Sequence, residues 1–258
     1  MLFRSRRAGV EDVSRSRALV ISLIRANLRD PVAMLVLVIL PTALSVALVY
    51  AMGNAPGVSG RAGIDFIGPE TMAFNTAFVG TLGGAISIAR WRENGTIRAL
   101  RSAPVSKGAI MASVLGVVGG MVLLQVLVIV VIGILPGINM QISSRAPLTI
   151  LPVLLGTVLF YSLGVLLGRY VPTVTLVTLA ATAIILPMGW VSGVLRLGVE
   201  PPWAATISTF LPLTYLRDAT RWTLTDTASL LDGLAGIGVT AVAAVALFAF
   251  AIREMRWT

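Results

Sequence analysis

AIMASVLGVVGGMVLLQVLVIVVIGIL, residues 109–135, contains no charged side chain and a single amide, Gln125. Coiled as a helix it extends roughly 40 Å at 1.5 Å per residue, more than the ~30 Å of a bilayer's hydrocarbon core. Soluble domains have about a quarter of their residues charged. Here 12% are charged and 57% are hydrophobic, with a mean hydropathy of +0.92. The stretch reads as a membrane span, and the chain as an all-α integral membrane protein.

Five more apolar runs lie on either side of it. Spans are expected at about Val32–Met52, from Phe66 or Glu70 to Ala89, at Leu148–Gly168, at Thr173–Leu195 and at Leu231–Ile252, with the quoted run third of six. Pro41 predicts a kink in the first, and Pro187 lies inside the fifth. "RSRR" near the start has the charge of a signal-peptide n-region. The run from Val32 is about twice an h-region in length and has no small-residue cleavage site after it, so it reads as a retained span.

Six spans put both termini on one side. Of the 20 basic residues, fifteen then share the side of the termini, and five (Arg61, Arg145, Arg196, Arg217 and Arg221) take the other. That bias predicts cytosolic termini in the plasma membrane. It also accounts for the net charge of +9 without a nucleic-acid partner. The five tryptophans fall near span ends or outside them, as in an interfacial aromatic belt.

Within residues 1–31, Leu19, Val20, Leu23, Ile24 and Leu28 recur at helical spacing opposite Ser22, Arg25 and Arg29. The pattern suits a helix lying in the membrane interface, with a solvated basic tail as the alternative. Asp30-Pro31 then resembles an N-cap followed by proline at the first helical position. Between Arg196 and Asp232 the chain is too polar for a span, yet WAATISTFL (203–211) and LTYLRDATRWTL (213–224) are too apolar for a free loop. A lid or short re-entrant hairpin is expected there, with an external domain as the alternative, and Asp218 and Arg221, three apart, are able to pair.

The stretch ARWRENGTIRALRSAPVSKG (89–108) cannot sit in lipid. Each arginine at mid-bilayer costs ~2.5–3.5 kcal/mol, so four would cost about 10 kcal/mol or more. Asn94-Gly95-Thr96 offers a helix start and Pro104 a stop. Ile97 and Leu100 share one side, Arg98 and Arg101 another. On physics alone, a tether to anionic headgroups and a protein-docking element fit this loop equally.

RENGTIRALRSAPVS (92–106) resembles the Glu-x-Gly-Thr-(Ile/Leu)-x-x-Leu-x-x-x-Pro-(Val/Leu) pattern of ATP-binding-cassette type-2 permeases, between the same two spans. RDPVAMLVLVILP (29–41) and LPLTYLRDATRWTL (211–224) are similar to two further motifs of that family, so the resemblance covers nearly the whole chain. Asn94 departs from it, standing where a charged residue is common.

The resemblance implies the permease half of an exporter, with 1–31 as tail and interfacial helix and 32–258 as the permease domain. It implies a coupling loop at 90–108, an outer re-entrant segment at 196–230, a separate cytosolic ATPase and a second permease copy. Carried over, Arg92, Glu93, Gly95, Thr96, Ile97, Arg98, Leu100, Arg101 and Pro104 are the residues that couple the permease to the ATPase. Pro212, Thr214, Tyr215, Asp218 and Arg221 belong to the outer element.

Chemistry within the chain is narrowly bounded. There is no cysteine and no histidine, so thiolate and imidazole chemistry are absent. A Walker A loop needs Gly-x-x-x-x-Gly-Lys-(Ser/Thr), whereas Lys107, the only lysine, precedes a glycine. No catalytic, cofactor-binding or metal-binding residue is expected here, and ATP and magnesium are assigned to the partner. An intramembrane enzyme or ion-coupled carrier would need ionisable groups at depth, which the expected spans lack apart from Glu70 near an outer end. Asn75 and Gln125 read as helix–helix hydrogen-bonding residues.

A charge-free path favours hydrophobic or amphipathic cargo, drug-like or lipid-like, so efflux and antibiotic resistance are expected. A cell-envelope polysaccharide or glycolipid is the alternative cargo, and a non-transporting scaffold the alternative role. Arginine in place of lysine, with abundant Ala, Val and Gly, points to a high-GC bacterium.

Overall fold

The computed structural model describes residues 35–52, 61–96, 107–196 and 201–255, and every regular element among them is helical. A π-helical turn at Leu35–Ile39 leads into α1 (Leu40–Met52), followed by α2 (Ile64–Glu93) and α3 (Lys107–Gly133). A 3-10 turn at Ala146–Thr149 opens α4 (Ile150–Tyr170), which α5 (Val174–Val191) follows after three residues. Two short helices, α6 (Pro202–Ser208) and α7 (Pro212–Leu224), precede α8 (Leu230–Glu254).

Among the described residues five helices are long and apolar enough to cross a membrane: Ile64–Glu93, Gly108–Gly133, Ala146–Tyr170, Val174–Val191 and Leu230–Glu254. The first expected run appears as the shorter apolar helix Leu37–Ala51; residues 32–34 of that run lie outside the described residues. So does the interfacial helix expected within 1–31.

α2 is the centre of the bundle, packing against α1, α3, α4, α5 and α7, while α8 packs on α4 and α7. Its most apolar stretch is wholly buried, yet its mean hydropathy of 1.4 is the lowest of the five; α3 reaches 2.8 and is one-third buried. The inversion has a simple cause. A helix facing lipid must be apolar, whereas one facing protein can carry polar groups that find partners. Close approach to α4 comes from small residues. Gly80 and Gly84 on α2 meet the backbone at Phe160 and Tyr161, and Gly164 and Gly168 on α4 meet Thr81 and Ala85.

Prolines within the helices leave carbonyls that other elements satisfy. Pro41 has no N–H to offer Leu37, four residues back, and the Gln125 Nε2 of α3 donates to the Leu37 carbonyl at 2.7 Å. Ser45 Oγ donates to the Pro41 carbonyl at 2.8 Å and lies 3.2 Å from Asn75 Oδ1. The two amides thus join α1 to α3 and to α2. On α2, Pro69 deprives the Asp65 carbonyl of its helical donor, and Thr225 Oγ1, just past α7, donates to it at 2.7 Å. Thr220 Oγ1 of α7 donates to the Pro69 carbonyl at 3.2 Å. α7 is stitched along the proline-broken start of α2.

Candidate functional site

Polar residues gather at the two ends of the bundle. The end opposite α7 is built on the last turn of α2. Arg92 Nη1 donates to three carbonyls around the end of α4: Gly168 at 3.3 Å, Arg169 at 2.8 Å and Val171 at 3.1 Å. Glu93 Oε1 accepts from the Val174 amide at 2.8 Å, at the first residue of α5. Arg169 Nη1 lies 3.0 Å from Glu254 Oε2 on α8, and the Tyr170 hydroxyl donates to the same oxygen at 3.4 Å. Gly95 then turns the chain at φ +66°, a conformation that favours glycine, and Thr96 leads into residues 97–106. Of the expected ATPase-coupling residues, Arg92, Glu93, Gly95 and Thr96 are brought together here. Ile97, Arg98, Leu100, Arg101 and Pro104 lie outside the described residues.

The other end is built on α6, α7 and the start of α2. Pro212 opens α7, where its missing N–H is no loss. Thr214 is buried, and the Tyr215 hydroxyl donates to the Thr209 carbonyl at 2.8 Å across the α6–α7 turn. Asp218 does not pair with Arg221 as helical spacing suggested. Its carboxylate takes Arg217, at 2.9 Å from Nε and 2.8 Å from Nη2. Arg221 faces Glu70 of α2 at 3.7 Å and lies over the Phe66 ring at 5.0 Å. A tertiary neighbour on α2 displaced the local pairing.

Burial pushes the Asp218 carboxyl above the ordinary aspartate range, against the lowering effect of Arg217. Arg217 also donates to the Ser192 carbonyl, and Arg196 to the Val191 carbonyl at 3.3 Å, at the end of α5. Gly193, at φ +86°, leaves room for both guanidiniums, which a Cβ would meet at 2.6 and 3.0 Å. Sequence reasoning missed Asp65. It is fully buried and its Oδ1 accepts from the Gln141 amide at 2.7 Å. The readable signal at this position was Pro69 four residues on, which leaves the Asp65 carbonyl without its helical donor; nothing local signals the partner of the carboxylate.

The Glu70–Arg221 pair is mostly shielded, with about a fifth or less of each side chain exposed. Arg221→Gln is expected to lower stability by about 1–3 kcal/mol, because a poorly solvated carboxylate loses its counter-ion. Adding Glu70→Gln should restore much of that loss. Thermal unfolding of the four-member mutant cycle in detergent is the check, and strictly additive single effects would refute the pairing.

Among the described residues no group of three or more His, Cys, Asp or Glu could hold a metal ion. What the two ends offer is mechanical: each ties the terminus of one helix to the backbone of others. Residues 16–225 match the model of a family described as ABC-2 type transporter, a match that ends with the residue after α7. No curated protein matches the chain.

Proposed function

Because the chain belongs to the ABC-2 type transporter family, whose members are membrane subunits driven by a separate ABC ATPase, we propose that it is an exporter permease for hydrophobic or amphipathic molecules. The observation that carries the cargo reading is the absence of Asp, Glu, Lys and Arg between the two polar ends: none lies on α2 from Thr71 to Ala89, and none on α5. A charged solute would want a counter-charge at that depth. The basic bias of the sequence makes the Glu93 end cytosolic and the α7 end external. Two copies complete the membrane unit, each with six spans once 32–52 is counted. α6 and α7 form a re-entrant hairpin on the outer side. Residues 97–104 dock in the ATPase, with Ile97 and Leu100 as apolar anchors.

The test is reconstitution in liposomes with the partner ATPase. Apolar and amphipathic compounds should stimulate hydrolysis severalfold, and hydrophilic, multiply charged solutes should not. Stimulation by the second group alone would overturn the cargo reading.

A further inference from the structure

Arg92 and Glu93 sit where a docking residue would be sought and are exposed, yet their side chains are engaged by the backbone at the ends of α4 and α5. Between them they satisfy both helix ends that flank the Val171-Pro172-Thr173 turn. The last carbonyls of a helix lack donors and carry partial negative charge; the first amides lack acceptors and carry partial positive charge. Arg92 supplies a cation and a donor to the end of α4, where it reaches the carbonyls of Gly168, Arg169 and Val171. Glu93 supplies an anion and an acceptor to the start of α5, at the Val174 amide. Two adjacent residues of opposite charge therefore grip one turn from both sides.

Directly inward, Ala85 and Ala89 of α2 form a small apolar cluster with Val177 of α5, all fully buried. The polar grip thus continues into packed side chains. Along α5, only Val177, Ala181, Ile185 and Gly189 of its residues are buried. Those four recur once per turn along one face, and the far end of α5 receives Arg217 and Arg196 at the Ser192 and Val191 carbonyls, so the helix is held as a unit and moves as one piece.

We infer that Arg92 and Glu93 are positioning residues that transmit motion of the adjoining segment directly to α5, and are not contacts to the ATPase. The inference rests on the reading above that residues 97–104 receive the ATPase's movement. It differs from that reading in its consequences: loss of the grip should leave docking intact and disconnect α5.

The chain has no native cysteine, so spin labels can be placed at Ala112 on α3 and Thr175 on α5, both exposed. Measured in nanodiscs with the partner ATPase bound, ATP plus vanadate should shift the interspin distance in the wild type. Arg92→Ala combined with Glu93→Ala should keep the ATPase at wild-type stoichiometry and basal hydrolysis within about twofold, while reducing the shifted population at least about tenfold. Glu93→Gln alone keeps an oxygen for the Val174 amide and should retain the shift. Loss of the ATPase from the double variant would make these residues docking contacts and overturn the inference. An undiminished shift would reduce them to static helix caps and overturn it equally. A wild-type complex that shows no nucleotide-driven shift would instead bring down the coupling reading itself, and this inference with it.

Discussion

Gly164→Leu is expected to yield a chain that inserts into the membrane and fails to assemble its helices. A Cβ at residue 164 would lie 2.0 Å from the Thr81 carbonyl oxygen and 2.8 Å from its carbon. These are backbone atoms of α2, and no rotamer change relieves the overlap. The neighbouring contacts are equally unforgiving: a Cβ at Gly84 would meet the Tyr161 oxygen at 2.4 Å, and one at Gly168 the Ala85 oxygen at 2.6 Å. Both helices carry their glycines four apart, the spacing that lets backbones touch in a membrane. Lipid supplies little hydrophobic drive between helices, so this contact cannot be replaced by apolar bulk.

The loss should exceed about 4 kcal/mol, the range of severe core disruptions. Gly164→Ala should be milder in degree and the same in kind. Gly116, where a Cβ meets nothing within 4 Å, provides the control, and Gly116→Leu should melt like the wild type. Monodispersity and thermal unfolding in detergent decide the matter. A Gly164→Leu protein indistinguishable from the Gly116→Leu control would show that α2 and α4 are not packed this way.

The second large effect concerns the segment after Thr96. Replacing Ile97 and Leu100 together by Asp should weaken retention of the ATPase by roughly 100- to 10,000-fold. The estimate follows from ~1.5–3 kcal/mol for each apolar side chain fully buried at a contact, with about 1.4 kcal/mol per tenfold in affinity. Neither residue lies in an apolar run, so insertion and thermal stability should match the wild type. The readouts are co-purification of the ATPase and cargo-stimulated hydrolysis. If the loop is instead a headgroup tether, Arg98 and Arg101 still hold it at the membrane and the ATPase is retained in full. That result would remove the docking role from residues 97–104.

The apolar runs were legible because a bilayer imposes a length and forbids charge, and both are local properties of sequence. Five of the six expected runs coincide with helices long enough to cross. Contacts between runs were less legible. Asn75 and Gln125 read as interhelical hydrogen-bonding amides, and the structure shows why Gln125 is needed: Pro41 leaves Leu37 without its donor. Asp218 and Arg221 read as partners because spacing along one helix was the only distance available. Arg221's actual partner, Glu70, depends on how α7 lies against α2, and Asp218 takes its own neighbour Arg217 instead. Glu93 read as a coupling residue, and nothing local reveals that the Val174 amide also lies beside it. The glycines of the α2–α4 contact carry a readable spacing, Gly80 with Gly84 and Gly164 with Gly168, but spacing alone does not say which two helices meet.

The burial of α2 bears on how the protein is made. During synthesis α2 leaves the ribosome before α3 and α4 exist. It is the least hydrophobic of the five candidate spans, and the partners of its Asp65, the Gln141 amide at the carboxylate and Thr225 at the carbonyl, are not yet translated. Its lateral release into lipid is therefore the weakest thermodynamic step of biogenesis, since polar side chains partition poorly into hydrocarbon. We expect α2 to stay at the insertion machinery until α4 arrives, because Gly164 and Gly168 then offer it a protein surface in place of lipid. On this view a nascent chain halted before residue 150 should be degraded faster than one halted after residue 170.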